Sequence, residues 1–166
     1  MTTSTTLLTV EIVPTSLHGK APRTVFGRAW WDKARRQACR AAGRRAGPPA
    51  TAARCAVAPA GPHPVEAHER YSYDKLVRPP CQRVVGIVAL CPDCHAVKHL
   101  YRTASVAAGT GNRFIYERAL AHLKDVNGWH DEQVEEYLAQ VQEDFLRREA
   151  IGPWAYDYSG VESLSR

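Results

Sequence analysis

The chain has 166 residues, 45% of them hydrophobic and 23% charged, and it carries a formal net charge of +5. This length and composition are ordinary for one globular domain over residues 1–166. No stretch approaches 18 consecutive apolar residues, and the N-terminus lacks the pattern of a secretory signal, so we expect a cytoplasmic protein without a membrane span. Five cysteines in such a chain argue against a disulfide framework and for reduced thiols, some of which bind metal, with zinc as the first candidate.

The first part of the chain predicts a short strand and then a helix. Apolar residues alternate with polar ones over residues 7–13, which predicts a strand that Pro14 ends. Residues 24–46 follow a helical pattern with Trp30 and Ala34 on its apolar stripe. We therefore predict an N-terminal basic helix over 24–46.

Basic residues dominate this predicted helix. From Lys20 to Arg54 there are ten lysines and arginines against one acid, Asp32. Three of the arginines follow each other at four-residue steps on one stripe: Arg36, Arg40 and Arg44. Such a block suits a DNA-binding surface, because each cation that neutralises a phosphate also releases counterions. A solvated helix face is the alternative interpretation.

The centre of the chain predicts a loop, two strands and a helix, in that order. Turn-forming residues over 47–64 predict an irregular loop that carries Cys55. Brief alternation predicts a short strand near 65–69, and the β-branched run over 82–90 predicts a second strand. Pro92 suits the first turn of a short helix that continues to about residue 101.

A C-terminal helical pair is predicted over 112–149. Its first helix follows the glycine-rich AAGTGN at 107–112 and ends near Gly128, and its second begins near Asp131. The tail after this pair contains an aromatic cluster, which we expect to pack on the core.

Cysteine spacing predicts a zinc site beside the second strand. Cys91 and Cys94 form a C-x-x-C turn that presents two thiolates to one ion. Cys55 lies 36 residues upstream and is the best candidate for a third ligand. Cys81, His63 or water remain open as the fourth.

Two histidines favour a second site. His95 and His99 are one turn apart on the predicted helix, so their rings project from one face and could share an ion. Cys94 and His95 are adjacent and diverge by about 100°, which makes them awkward partners on one metal. We therefore predict a thiolate site and a separate imidazole site, with His68 from the first strand as the third imidazole ligand.

The stretch CPDCH at residues 91–95 raises haem attachment as an alternative to zinc binding. The stretch fits the C-x-x-C-H pattern of c-type haem attachment. Such attachment needs export and an oxidising assembly compartment, and no export signal is visible. Zinc is therefore the preferred interpretation.

With these residues in this order, the centre of the chain resembles the HNH endonuclease family, whose fold is a ββα-metal unit. The stretches that carry the resemblance are VEAHERYSYD at 65–74 and ALCPDCHAVKH at 89–99. The resemblance covers about residues 54–101. It implies an α+β fold in which a small ββα-metal, HNH-like, zinc-binding core is flanked by α-helices.

The resemblance also implies two metal sites. The structural zinc cysteines of the family fall on Cys55, Ala58, Cys91 and Cys94, so one of the four is missing here. The ligands of the catalytic metal, which is Mg²⁺, Mn²⁺, Ni²⁺ or Zn²⁺, fall on three histidines: His68, His95 and His99.

The catalytic residues that the resemblance implies are His68, as a metal ligand, and Glu69, as the general base. Glu69 occupies the position at which the family has a histidine, and a carboxylate can serve as base only if its pKa is raised. The central Asn of the family has no clear counterpart in residues 82–90. These departures leave the chemistry open although the motif is specific.

Three functions follow from these residues. The first is a metal-dependent endonuclease that cleaves DNA phosphodiester bonds. The second is a zinc-dependent enzyme on a repurposed HNH scaffold, acting on a small molecule in specialised metabolism, because three thiolates and a water would form an open zinc site. The third is a zinc-stabilised DNA-binding module without catalysis.

Overall fold

The structure of the protein is a computed structural model that describes residues 6–42 and 65–162. Within these ranges the fold is mixed α and β, with six α-helices and a single three-stranded sheet. The strands are β1 Glu66–Asp74, β2 Cys81–Leu90 and β3 Ala155–Asp157. The helices are α1 Pro22–Ala41, α2 Pro92–Lys98, α3 Leu100–Thr110, α4 Phe114–Asn127, α5 Asp131–Ile151 and α6 Ser159–Glu162. None of the helices in the described ranges combines the length and the apolar character that crossing a membrane requires.

The described residues group into two compact units. The first unit holds residues 6–12, 65 and 90–141, and therefore contains α2, α3, α4 and the beginning of α5. The second holds 13–42, 66–89 and 142–162, and therefore contains α1, the sheet, α6 and the end of α5. The single-domain expectation for 1–166 stays a prediction.

In the first unit, α4 packs against both α2 and α3. Its buried residues Ala119, Leu123 and Val126 recur at helical spacing on one face. The apolar side of α4 therefore forms the centre of this unit, and it positions whatever else projects from the same face.

The predicted strand over residues 7–13 is wrong, because the described chain is not in a strand there. The backbone amides of this segment find other partners. Leu7 and Leu8 donate to Asn127 Oδ1 at 2.7 and 3.1 Å, and Val10 donates to the Tyr137 hydroxyl at 2.9 Å. Side-chain acceptors satisfy these donors without a neighbouring strand, so alternation alone was misleading.

In the second unit the strands lie in the order β1-β2-β3. The third strand runs parallel to β2, with Ala155 opposite Cys81 and Asp157 opposite Arg83. Trp154 is 2% exposed just before β3, and its ring meets Tyr73 edge-on at 5.5 Å between ring centroids. The aromatic tail therefore packs as predicted, although the strand that it forms was not foreseen.

The predicted elements of the central region are found, with altered bounds. The β2 strand agrees with the prediction over 82–90, whereas β1 continues to Asp74, beyond the expected end near residue 69. His99 separates α2 from α3, where one short helix was expected, with φ −103° and ψ 35°. The following helix, α3, runs on to Thr110 and so includes the first four residues of the glycine-rich stretch 107–112, because a left-handed glycine, Gly111 at φ +71°, comes only after them.

The basic helix and the C-terminal pair are also found. The α1 helix begins at Pro22, and Gly27, at φ +82°, interrupts its helical conformation. Residues 43–64 lie outside the described ranges. The C-terminal pair is α4 and α5, and Gly128, at φ +67°, ends α4 as predicted.

Asn127 is expected to be the most sensitive polar residue of the first unit. Its Nδ2 donates to the Leu8 and Leu123 carbonyls, and its Oδ1 accepts from the backbone amides of Leu7 and Leu8. The side chain therefore makes four hydrogen bonds. Asn127→Ala should lower the free energy of unfolding by about 3 kcal/mol, because buried backbone groups lose their partners. Urea unfolding followed by circular dichroism measures this. The exposed Asn112→Ala is the control, and an equal effect of both changes would contradict the account.

A second prediction concerns acid stability. The backbone amide and hydroxyl of Ser159, followed by Arg83 at 2.6 Å, hold the pKa of Asp157 at about 2, below its usual 3.8. Because the folded-state pKa is depressed, this stabilisation is present above about pH 4 and is lost as the pH falls through 2. Unfolding measured from pH 5 to pH 2 should show a smaller loss of stability in Asp157→Asn than in the wild type. Parallel pH profiles would show that the interaction does not contribute.

Candidate metal centres

The first candidate centre begins where β2 gives way to α2. Cys91 is the N-cap of α2 with extended backbone, and Pro92 occupies the first turn, where its missing N–H costs nothing. Cys94 then donates its backbone amide to Cys91 Sγ at 3.3 Å. Both cysteines are buried, at 4% and 0% exposure. The turn therefore holds two sulfurs side by side away from solvent.

His122 of α4 completes this group. Its Nε2 lies 3.2 Å from Cys94 Sγ and 4.0 Å from Cys91 Sγ. All three ligand atoms lie within 4.8 Å of one another. A tetrahedral zinc ion with Zn–S of about 2.3 Å and Zn–N of about 2.0 Å places sulfur and nitrogen about 3.5 Å apart. The three side chains could therefore hold a metal ion with little rearrangement.

An ion pair fixes α4 to the same turn of α2. Arg118 lies one turn before His122, and its Nε and Nη2 reach the two carboxylate oxygens of Asp93 at 2.7 and 2.9 Å. The hydrogen bond and charge of Asp93 raise the pKa of Arg118, and Cys91 contributes in the same direction. Because Arg118 and His122 lie on one face of α4, the pair orients the histidine toward the sulfurs.

His122 was missed by the sequence analysis, although a signal for it existed. Ala119, Leu123 and Val126 form the buried stripe of α4, and position 122 lies within that stripe. A histidine on an otherwise apolar face near a C-x-x-C turn is a candidate ligand. The predicted ligands Cys91 and Cys94 are confirmed as members of a group that could hold a metal.

The remaining residues that were predicted to bind this ion either lie outside the described residues or lie too far from Cys91. Cys55 and His63 lie outside the described residues, as does Ala58. Cys81 is the first residue of β2, and a strand of ten residues separates it from Cys91. Such a strand is roughly 30 Å long, so Cys81 does not ligate the same ion.

The second candidate centre uses the two histidines of the α2 region. The rings of His95 and His99 meet edge-on, with 4.7 Å between their centroids and an interplanar angle of 88°. Both are half-buried, and neither belongs to the cysteine group. The predicted convergence of these rings, apart from the thiolates, is therefore found.

His68 and Glu69 lie in β1, in the second unit. His68 is 1% exposed, whereas the neighbouring Glu69 is half-buried. Adjacent strand residues point to opposite faces of a sheet, so the two side chains diverge. Burial raises the pKa of Tyr156, and the charge of the Glu69 carboxylate raises it further. The ligand role of His68 and the base role of Glu69 stay predictions.

Two of the three predicted DNA-binding arginines belong to the described residues, and both lie on α1. Arg36 and Arg40 are exposed, and Arg44 lies outside the described residues. The acid among them, Asp32, pairs with Arg35 at 2.7 Å and with Arg28 at 3.8 Å, and its pKa is lowered by the hydrogen bond from Arg35 above all. The negative charge of Asp32 is therefore already paired with the positive charges of Arg28 and Arg35.

Comparisons of the chain with protein-family models, with curated proteins and with solved structures find no match. The relation to the HNH family therefore rests on the motif residues alone. It stays an expectation.

The cysteine group makes a prediction about metal content. Purified protein should retain about one zinc per chain in the presence of a chelator of moderate zinc affinity. His122→Ala should lower the zinc affinity of the protein by about 100-fold, since one of the protein ligands is lost. Elemental analysis after chelator titration measures this. His130→Ala, a change at an exposed histidine, is the control. Full retention by His122→Ala would exclude the imidazole as a ligand.

Proposed function

We propose that the chain is a zinc-stabilised, metal-dependent endonuclease with a ββα-metal core, which cleaves DNA phosphodiester bonds. The observation that carries the proposal is the pair of converging rings at His95 and His99. This pair begins on the helix whose first turn carries Cys91 and Cys94, after two successive strands. One short segment therefore combines a site for structural metal with a site for reactive metal.

Zinc is proposed for the cysteine group because of its donor atoms. Two thiolates and one imidazole form a borderline-soft set at spacings that suit a tetrahedral ion. Magnesium and calcium prefer oxygen ligands, and no carboxylate takes part in this described group. Cys55 is the proposed fourth ligand, and with it the site would be closed and structural.

A second divalent ion is proposed at His95 and His99, with His68 as the third ligand that the sequence predicts. Imidazoles suit Zn²⁺ and Ni²⁺, and three protein ligands leave positions open for a phosphate oxygen. A divalent ion bound there would stabilise the negative charge that develops during in-line attack on the phosphate.

The residues of the chain itself have three tasks in this reaction. The histidines would hold a divalent ion that binds the phosphate, and Glu69 would accept the proton of the attacking water as the bond to the leaving 3′ oxygen breaks. Arg36 and Arg40, with Arg44, bind phosphates along the strand and so position the scissile bond. The base role requires the pKa of Glu69 to lie above its ordinary range when substrate is bound.

One observation favours a second candidate function. Glu69 and His68 are adjacent in β1, so their side chains lie on opposite faces of the strand. If this geometry persists with DNA bound, the base cannot reach the metal, and the chain would be a zinc-stabilised DNA-binding module. The two candidates share the zinc site and the basic surface and differ only in turnover.

Plasmid nicking decides between them. The wild type should nick supercoiled DNA with Mg²⁺, Mn²⁺ or Ni²⁺, and His95→Ala should reduce the rate by at least about 100-fold because a metal ligand is lost. His130→Ala should leave the rate unchanged. Glu69→Gln should reduce the rate by about 100-fold if the carboxylate is the base. Intact plasmid with all three ions, together with retained DNA binding, would select the binding module.

A further inference from the structure

The turn between β1 and β2 presents an exposed leucine beside a cavity. Leu76 is 92% exposed, the highest value among the large apolar side chains exposed in the described chain. A cavity of about 750 Å³ lies at this turn, within the second unit. Its lining includes Tyr73, Asp74, Lys75, Leu76, Cys81 and Arg83. The leucine and the cavity are therefore parts of one surface.

Hydrogen bonds within the turn hold this leucine in place. Asp74 Oδ1 accepts the backbone amides of Leu76 and Val77 at 2.9 and 3.4 Å. Arg78 Nη1 donates to the Lys75 and Val77 carbonyls at 2.9 and 3.1 Å. A turn that is ordered before binding loses little conformational entropy on binding. The leucine is thus held toward solvent on a stiff support.

The charges of this hairpin favour an anionic partner. Residues 70–83 contain four cations and one acid. The cations are Arg70, Lys75, Arg78 and Arg83, of which Arg83 pairs with Asp157 at 2.6 Å, so the other three carry the excess positive charge. The acid, Asp74, accepts two backbone amides of the turn. The surface around Leu76 therefore combines an apolar tip with net positive charge.

We propose that this hairpin end binds one unstacked nucleotide of a DNA duplex, with Leu76 inserted into the base stack and the displaced nucleotide in the cavity. The proposal rests on DNA as the substrate of the proposed function. Apolar side chains, leucine among them, are used as wedges between base steps, while flanking cations bind the phosphates. The cavity is an open cleft at the surface, and its volume of about 750 Å³ leaves room for one nucleotide unit.

An anionic lipid surface would also attract an exposed leucine beside lysine and arginine. Insertion into lipid needs no cavity behind the tip, whereas an extruded nucleotide does. The cavity at Lys75 and Arg83 therefore favours the nucleotide.

A duplex that carries 2-aminopurine tests the wedge, because its fluorescence rises when the base leaves the stack. Without added divalent ions, saturating wild-type protein should raise the signal at least about threefold, and Leu76→Ala should abolish the rise. Leu146→Ala is the matched control, since Leu146 is also exposed, at 56%, and lies on α5. No rise with the wild type, or an undiminished rise with Leu76→Ala, would overturn the proposal.

The thiol of Cys81 reports on the cavity itself. Duplex DNA should slow the alkylation of Cys81 by iodoacetamide by about fivefold, whereas phosphatidylserine vesicles should leave the rate unchanged. Peptide mass spectrometry measures the extent of alkylation. Protection by the vesicles and not by DNA would overturn the proposal in favour of lipid. Plasmid nicking without a fluorescence rise would refute the wedge alone. A rise in 2-aminopurine fluorescence together with protection of Cys81 from alkylation, but without plasmid nicking, would refute the nuclease function and support the insertion of Leu76.

Discussion

The placement of His122 Nε2 beside the sulfurs of Cys91 and Cys94 is the contact on which the candidate zinc site depends. It joins the first turn of α2 to the middle of α4, and the bidentate pair of Arg118 and Asp93 reinforces the same junction. Two thiolates and an imidazole are a donor set that suits zinc, and one ion could bind all three. The conformation of the turn at the start of α2 follows from this group.

The same turn determines where the second centre lies. His95 follows Cys94 directly, so a fixed cysteine also fixes the direction of the next side chain, about 100° around the helix. The ring of His99 then meets that of His95 from one turn later. An ion bound at the cysteine group would therefore also fix the direction of His95.

Much of this arrangement could be predicted from local patterns. The β-branched run of β2, the proline that opens α2 and the glycine that ends α4 each specify an element boundary within a few residues. The contribution of His122 could not be read from spacing, because it lies 28 positions after Cys94 and is brought to it by the packing of α4 on α2. The false strand at residues 7–13 has a similar cause: the acceptors that replaced a partner strand, on Asn127 and Tyr137, are remote in sequence.

The central claim is that one ion is bound by thiolates from α2 and an imidazole from α4. X-ray absorption at the zinc edge of the purified protein tests it most directly. The account predicts two or three sulfur scatterers at about 2.3 Å together with at least one imidazole nitrogen at about 2.0 Å. A shell of four sulfurs, or one of nitrogen and oxygen alone, would contradict it.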